Sequence, residues 1–493
     1  MKNFNPKTMF LLLLVMLIIG CSDSYFDVNT PANTAIEEEL GMRDLIAPVI
    51  HSTMEGQRSA ELAFGNYTQY FVGTGGSAAG QTSASGLWTQ IYLYVLPNLK
   101  VVKEKAIENE ATHIGAISDI LVAINLGIAT DTWDDIPYSE ATQGPDSNFP
   151  AFDTQESIYE EIFSLLDGAI SALSASDDSG FSLGSADLIY GGDSDKWLRA
   201  AYTIKARHQL RLLGKGVSPS DVLSTIDDGF TSNDDNFQMF YSDKNINPWY
   251  SAEVLSRSTG NLSNDIASQI VSSMNGDYYP FAGTIEIDPR LPEIAEIPSG
   301  DTEYRGFVSG GDGLSPSGSE DANTGFKTDG YYTSIASPLT LISYAEALFI
   351  KAEAAFLANG GTTTSVGTTS MAYQAYLDGI AASMDMWGVD GSEYLADASI
   401  AVGEGNLMLH HIMKEKYIHN FLNPETFTDF RRYDFSDDVF TGLTIRLEDA
   451  TDESDFVGEW FLRAIYPATE LTRNEANVLA NQETPITPVW WDM

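Results

Sequence analysis

Tyr278, Tyr279 and Phe281 crowd around one proline in the run Tyr278-Tyr279-Pro280-Phe281, directly after the turn signal Asn275-Gly276-Asp277. Aromatic rings on a loop, outside any helical stripe, have a particular chemistry to offer. Their faces stack on the apolar C–H surface of a sugar ring while neighbouring polar groups bind its hydroxyls. Three other places share this character. Trp249-Tyr250 follow the loop-like Asn245-Ile246-Asn247-Pro248; Tyr67 and Tyr70 border the Gly-rich stretch 73–86; Tyr304 stands beside Arg305, whose guanidinium could clamp hydroxyls. These residues are the glycan-binding candidates. Trp88, Trp197 and Tyr344 fall at helical spacing and read as core.

Other chemistries find little support. No HExxH, GxSxG or Walker A phrase occurs. Two of the six histidines, His410 and His411, are adjacent, which predicts that they point to different faces of a helix; no further ligands are nominated for a mononuclear metal site. Acidic loops permit calcium, but no EF-hand pattern marks a site for it, and no cofactor is predicted. With 70 acidic residues, carboxylate pairs arise at every spacing, so nothing singles out the two that a glycosidase needs. The chain therefore reads as a non-enzyme, with a lipid-anchored glycoside hydrolase as an alternative. The net charge of −44 excludes nucleic acid as a partner, because phosphate binding needs a basic surface.

Cys21 is the only cysteine, so disulfides and cysteine metal sites are excluded. It closes a segment with Lys2 and Lys7 ahead of the apolar run 9–19, too short to span a bilayer and the right length for a secretory signal. Gly20-Cys21 resembles a bacterial lipobox. This predicts a lipoprotein signal peptide over 1–20, lipidation at Cys21, and a Ser/Asp/Asn/Thr/Pro tether over 21–35.

Helical patterns must then position the loops. Residues 36–55 are amphipathic. Apolar residues recur at spacings of three and four over 87–107 and 111–130, separated by Glu108-Asn109-Glu110, which predicts a helical hairpin. Further pairs are predicted for 157–173 with 196–213, 339–357 with 371–387, and 407–421 with 469–479. The fold class is mainly α, with tetratricopeptide-like helix pairs as a scaffold. Over 228–336 Gly, Ser, Asp, Asn and Pro dominate, giving a loop-rich, irregular ligand-binding part.

Several phrases resemble the SusD/RagB-like lipoprotein family. Asp131-Thr132-Trp133-Asp134-Asp135-Ile136-Pro137-Tyr138-Ser139-Glu140-Ala141 is similar to its "GDIPYSEA" signature, with Asp134 where the family has Gly. Gly192-Asp193 and Lys196-Trp197 resemble "GD…KW"; Asp288-Pro289-Arg290-Leu291-Pro292 matches "DPRLP". Tyr344-Ala345-Glu346-Ala347 with Lys351-Ala352-Glu353-Ala354 matches "YAEA…KAEA", and Lys416-Tyr417-Ile418 with Phe430-Arg431-Arg432 resembles "KYIAL…WFDYRR". Arg463-Ala464-Ile465-Tyr466-Pro467, Glu470 and Asn474 resemble the C-terminal phrase. The resemblance implies one SusD-like domain over 36–493 on an outer-membrane, lipid-anchored, surface-exposed protein. Such a protein captures oligo- or polysaccharide, or in RagB-type relatives peptide, for a SusC-like TonB-dependent transporter. For the signature residues themselves a structural role is expected, with Asp193 capping its helix.

Overall fold

The computed structural model describes residues 40–73, 80–144, 147–261, 263–310, 321–445 and 456–493. The signal segment 1–20, Cys21 and the tether 21–35 lie outside the described residues. From Met42 onward the chain is organised by helices. Helix α1, Met42–Phe64, buries Ile46, Val49, Ile50, Met54 and Ala60 along one stripe. A short helix, Ser85–Thr89, continues through a π-helical segment, Gln90–Val95, into α2, Leu96–Glu108. Helix α3, Thr112–Trp133, follows after a turn closed by the Ala111 N–H on the Ala106 carbonyl (2.9 Å), giving the predicted hairpin. Helix α3 is long and apolar enough to cross a bilayer by length and composition. It is instead a core helix, since α1, α2, α4 (Gln155–Leu173) and α5 (Ser194–Arg211) all pack on it. Gly127 permits this closeness: a Cβ there would lie 2.3 Å from the His208 ring.

Local signals set the helix starts. Asp193 accepts from the Asp195 and Lys196 N–H groups (3.0 and 3.2 Å), the cap that its position predicts. Ser218 and Asp221 form a capping box for α6, Pro219–Ile226. Within the loop-rich part lies α7, Ser268–Met274. Ser343 caps α8, Tyr344–Ala358, which pairs with α9, Ser370–Trp387. The helix predicted from residue 339 thus starts later. Leu339-Thr340-Leu341-Ile342 is a strand, because Ser343 cuts it off from the helix and its extended backbone has an antiparallel partner. The fourth predicted pair also differs. Helix α10, Leu409–His419, packs on α7, α8 and α9, and α11, Glu425–Arg432, follows it. The segment 469–479 forms two short helices, Ala468–Arg473 and Glu475–Asn481, tied elsewhere through Asn474 and Asn477 to the Pro150 carbonyl (2.9 and 3.0 Å).

Three two-stranded antiparallel ladders order the loop-rich part. They join β1 (Phe71–Val72) to β3 (Asp265–Ile266), β2 (Phe237–Met239) to β6 (Leu339–Ile342), and β4 (Ala295–Glu296) to β5 (Gly325–Phe326). Bonds from Ala267 to the Tyr70 carbonyl (3.0 Å) and from Ser268 to the Phe307 carbonyl (2.8 Å) extend the first ladder into α7.

The signature phrases form a lattice of buried charge. Arg290 forks onto Asp288 (2.6 and 3.0 Å) and reaches Glu415 (2.6 Å), all three with no exposed surface. Lys416 meets Asp429 (2.8 Å) and Glu353 (3.6 Å), and Arg432 joins the same two carboxylates. Arg207 pairs with Glu346 (2.5 Å). Asp131 receives the Tyr159 hydroxyl (2.5 Å), the Trp491 indole N–H (2.9 Å) and Arg211 (2.7 Å), tying α3, α4 and α5 to the C-terminal segment. Arg431 donates to the carbonyls of Asp131 and Leu462 (2.8 and 2.9 Å). Buried ions of this kind persist only when paired and hydrogen-bonded, so these residues hold the fold. Asp134 stands at φ +74°, ψ −107°, a backbone region that glycine occupies readily and aspartate does not. Its carboxylate offsets the strain by accepting from the Trp490 N–H (2.8 Å) and pairing with Arg463 (3.1 Å).

Candidate functional site

Helix α7 ends at Asn275, whose side-chain carbonyl accepts from the Asp277 N–H (3.1 Å), and the chain turns into Tyr278. The Tyr278 N–H bonds back to the Ser272 carbonyl (3.0 Å), and its ring rests on Gly442. A Cβ at Gly442 would lie 2.5 Å from that ring, and φ there is +85°, so glycine is required on both counts. The Tyr279 hydroxyl accepts from the Thr441 N–H (3.2 Å), and its ring lies near-parallel to His410 at 6.2 Å. Phe281 meets Tyr394 edge-on at 6.0 Å.

Lys414 holds these rings from within. Its ammonium lies 5.4 Å from the Tyr279 centroid, 5.9 Å from Phe281 and 5.4 Å from Tyr394. It also donates to the Tyr394 hydroxyl (2.8 Å) and pairs with Glu415 (3.0 Å). Lys414 is buried, whereas Tyr278, Tyr279 and Phe281 are half-buried. Burial would raise the Glu415 carboxyl, but Lys414 and Arg290 outweigh it and bring it down to about 2. Burial pushes both tyrosine hydroxyls up, keeping them protonated at neutral pH. The facing strip 441–444 is pinned by Gln269 to the Thr441 carbonyl (2.9 Å) and by Gln69, which donates to the Thr444 carbonyl (3.0 Å) and accepts from its N–H (3.2 Å). The result is a supported aromatic platform.

The other candidates divide. Tyr304 is half-buried. Arg305 forks onto Asp301 (2.7 and 3.2 Å) and donates to the Asp321 carbonyl (3.0 Å), so the hydroxyl clamp expected of it is already filled from its own loop. Tyr250 is half-buried at the start of a second π-helical segment, Tyr250–Leu255. Tyr67, Tyr70 and Trp249 are corrections, because all three belong to the core. Tyr70 stacks on Tyr417 at 4.8 Å and donates to the Tyr417 carbonyl (2.7 Å). Tyr67 packs against Phe64, Phe427 and Phe461. Trp249 meets Phe71 edge-on at 6.0 Å beneath the Arg58 guanidinium. Rings so enclosed offer no stacking face.

Sequence reasoning missed the platform's supports, Lys414, Tyr394, His410 and His411. The two histidines do not diverge. Their centroids are 4.0 Å apart, because His411 turns back in the first turn of α10 to accept from the Met408 N–H (3.0 Å). Burial lowers His410 and takes His411 down to about 4, leaving both neutral at pH 7. Leu93, Tyr94 and Phe240 are also exposed. The first two lie off the buried stripe of their helix, which was a legible signal. Among the described residues no group of three or more His, Cys, Asp or Glu converges as a metal-ligand set.

A family model described as "SusD-like_2: Starch-binding associating with outer membrane" matches residues 33–451. The chain belongs to the SusD-like family. Solved SusD-like structures share its fold. A SusD/RagB family protein from Bacteroides thetaiotaomicron is 22% identical with TM-score 0.68, covering 92% of this chain and 99% of its own. A SusD homolog from Bacteroides uniformis is 21% identical with TM-score 0.70, covering 92% and 99%. A chitin-binding SusD homolog from Flavobacterium johnsoniae is 21% identical with TM-score 0.66, covering 92% and 97%. No curated protein matches the chain. The mainly helical, tetratricopeptide-like SusD-like fold predicted from the sequence is therefore the fold found. Membership in the SusD-like family places the chain among binding proteins associated with the outer membrane.

Proposed function

We propose that this protein is a cell-surface lipoprotein, anchored through Cys21, that captures oligo- or polysaccharide and passes it to a SusC-like TonB-dependent transporter. The supporting observation is the half-buried ring cluster Tyr278, Tyr279 and Phe281, in which Tyr279 and Phe281 are braced by a buried ammonium and Tyr278 rests on Gly442. Rings held at fixed positions lose little entropy on stacking against sugar, and their neighbours supply hydroxyl partners. Tyr250 and Tyr304 are proposed as outlying contacts. No catalytic step and no cofactor are assigned.

Affinity gel electrophoresis of the soluble form starting at Ser22, against plant, algal and microbial polysaccharides, tests this reading. Selective retardation by one glycan is expected, weakened about tenfold or more in the Tyr278→Ala/Tyr279→Ala double variant, since each lost stacking contact is worth about 0.5–1.5 kcal/mol. Retardation by none, with binding of casein-derived peptides, moves the assignment to peptide capture. Reducing-sugar release would move it to a hydrolase.

A further inference from the structure

We infer that the glycan held at this platform is uncharged, and that polymers bearing uronate or sulfate groups are refused; this rests on the glycan reading above. The argument is where the site's charges sit. The rings are rimmed by carboxylates: Asp277 precedes Tyr278 directly, and Asp437, which accepts from the Gly442 N–H (2.9 Å), acts on both tyrosine hydroxyls. Asp397, buried like Lys414, is not part of that rim and serves the backbone, accepting from the N–H groups of Ala282 and Gly283 immediately after Phe281 (3.0 and 2.6 Å). The cation among the rings, Lys414, is buried and bound to Glu415, and the two adjoining histidines carry no charge at neutral pH.

The wider loop-rich stretch repeats the pattern. Residues 228–336 hold 17 acidic and 5 basic residues. Arg290 has no exposed surface, Arg305 is forked onto Asp301, and Arg257 stands 3.8 Å from Glu296. Lys244 and Lys327 stand against that acidic excess. Recognition of a carboxylate or sulfate is strongest where an accessible arginine fork or ammonium meets it. A ring platform bordered by carboxylates presents the opposite potential, and with a net charge of −44 the long-range field also opposes a polyanion's approach.

Matched polymer pairs that share a backbone provide the test. Agarose is set against sulfated agarose, and methyl-esterified against de-esterified homogalacturonan. Whichever neutral polymer from the panel retards the protein is also compared with its own sulfated derivative. At low salt, where screening is weakest, the neutral member is expected to bind at least about tenfold more tightly than the charged one, and added salt is expected to narrow the gap. Stronger binding of an acidic member, abolished by Tyr279→Ala, would overturn the charge inference and leave glycan capture standing. Retention of no polymer, with peptides bound, would remove both.

Discussion

Two arginines of the loop-rich part make the same fork and live in different worlds. Arg290 grips Asp288, two residues back, with no exposure, and carries on to Glu415 and the Ser383 hydroxyl (3.0 Å). Arg305 grips Asp301, four residues back, at the edge of a loop where both side chains retain 21–27% of their surface. The first pair joins the loop-rich part to α9 and α10 and cannot lose a partner without leaving a bare charge in the interior. The second organises its own turn and is screened by water. A similar pairing can therefore mark either the frame of the molecule or a detail of its surface, and burial decides which.

Arg290→Ala should have the largest effect. It leaves Asp288 and Glu415 uncompensated, and a loss of about 3–5 kcal/mol is expected in the denaturant midpoint analysis. A change under about 1 kcal/mol would erase the contrast. Next comes pH. His419, fully buried between the hydroxyls of Ser343 (2.5 Å) and Ser383 (3.0 Å), is lowered by burial to about 3. Its contribution is present above the ordinary histidine value, near 6.5, and is lost as pH falls, because the unfolded chain takes up a proton that the folded one refuses. Between pH 7 and 5 the loss from this residue is about 2 kcal/mol. His419→Gln should flatten the pH dependence by that amount relative to the parent, measured by denaturation at both pH values; equal slopes would refute the assignment. The smallest effect is expected at the surface fork. Arg305→Ala should leave the melting temperature within about 2 °C of the parent. A larger drop would show that the loop pair shares the role of the buried one.

Much of the frame was legible because its signals are local. Asp193 reads as a cap from the sequence and is one, and the apolar spacing over 111–130 gives a helix, although the helix is buried nearly all round rather than along one stripe. Where the reading slipped, distant partners decided. Leu339-Thr340-Leu341-Ile342 carries enough apolar residues for a helix, but Phe237–Met239, a hundred residues earlier, draws it into a ladder. Trp249 and Tyr70 carry loop-like flanks, yet Phe71 and Tyr417 enclose them. The platform was legible only as a cluster of rings. Gly442 and Lys414, which set the exposure of those rings, lie well over a hundred residues further on, and no spacing rule connects them.

Asp134 has a consequence for the order in which the chain can settle. Its backbone is held in a glycine-like conformation, and its carboxylate is satisfied by Trp490, 356 residues later, and by Arg463. In any N-to-C order of emergence, the turn precedes both partners by several hundred residues. The joint between α3 and α4 is therefore without these two partners until residues 463 and 490 have joined the fold.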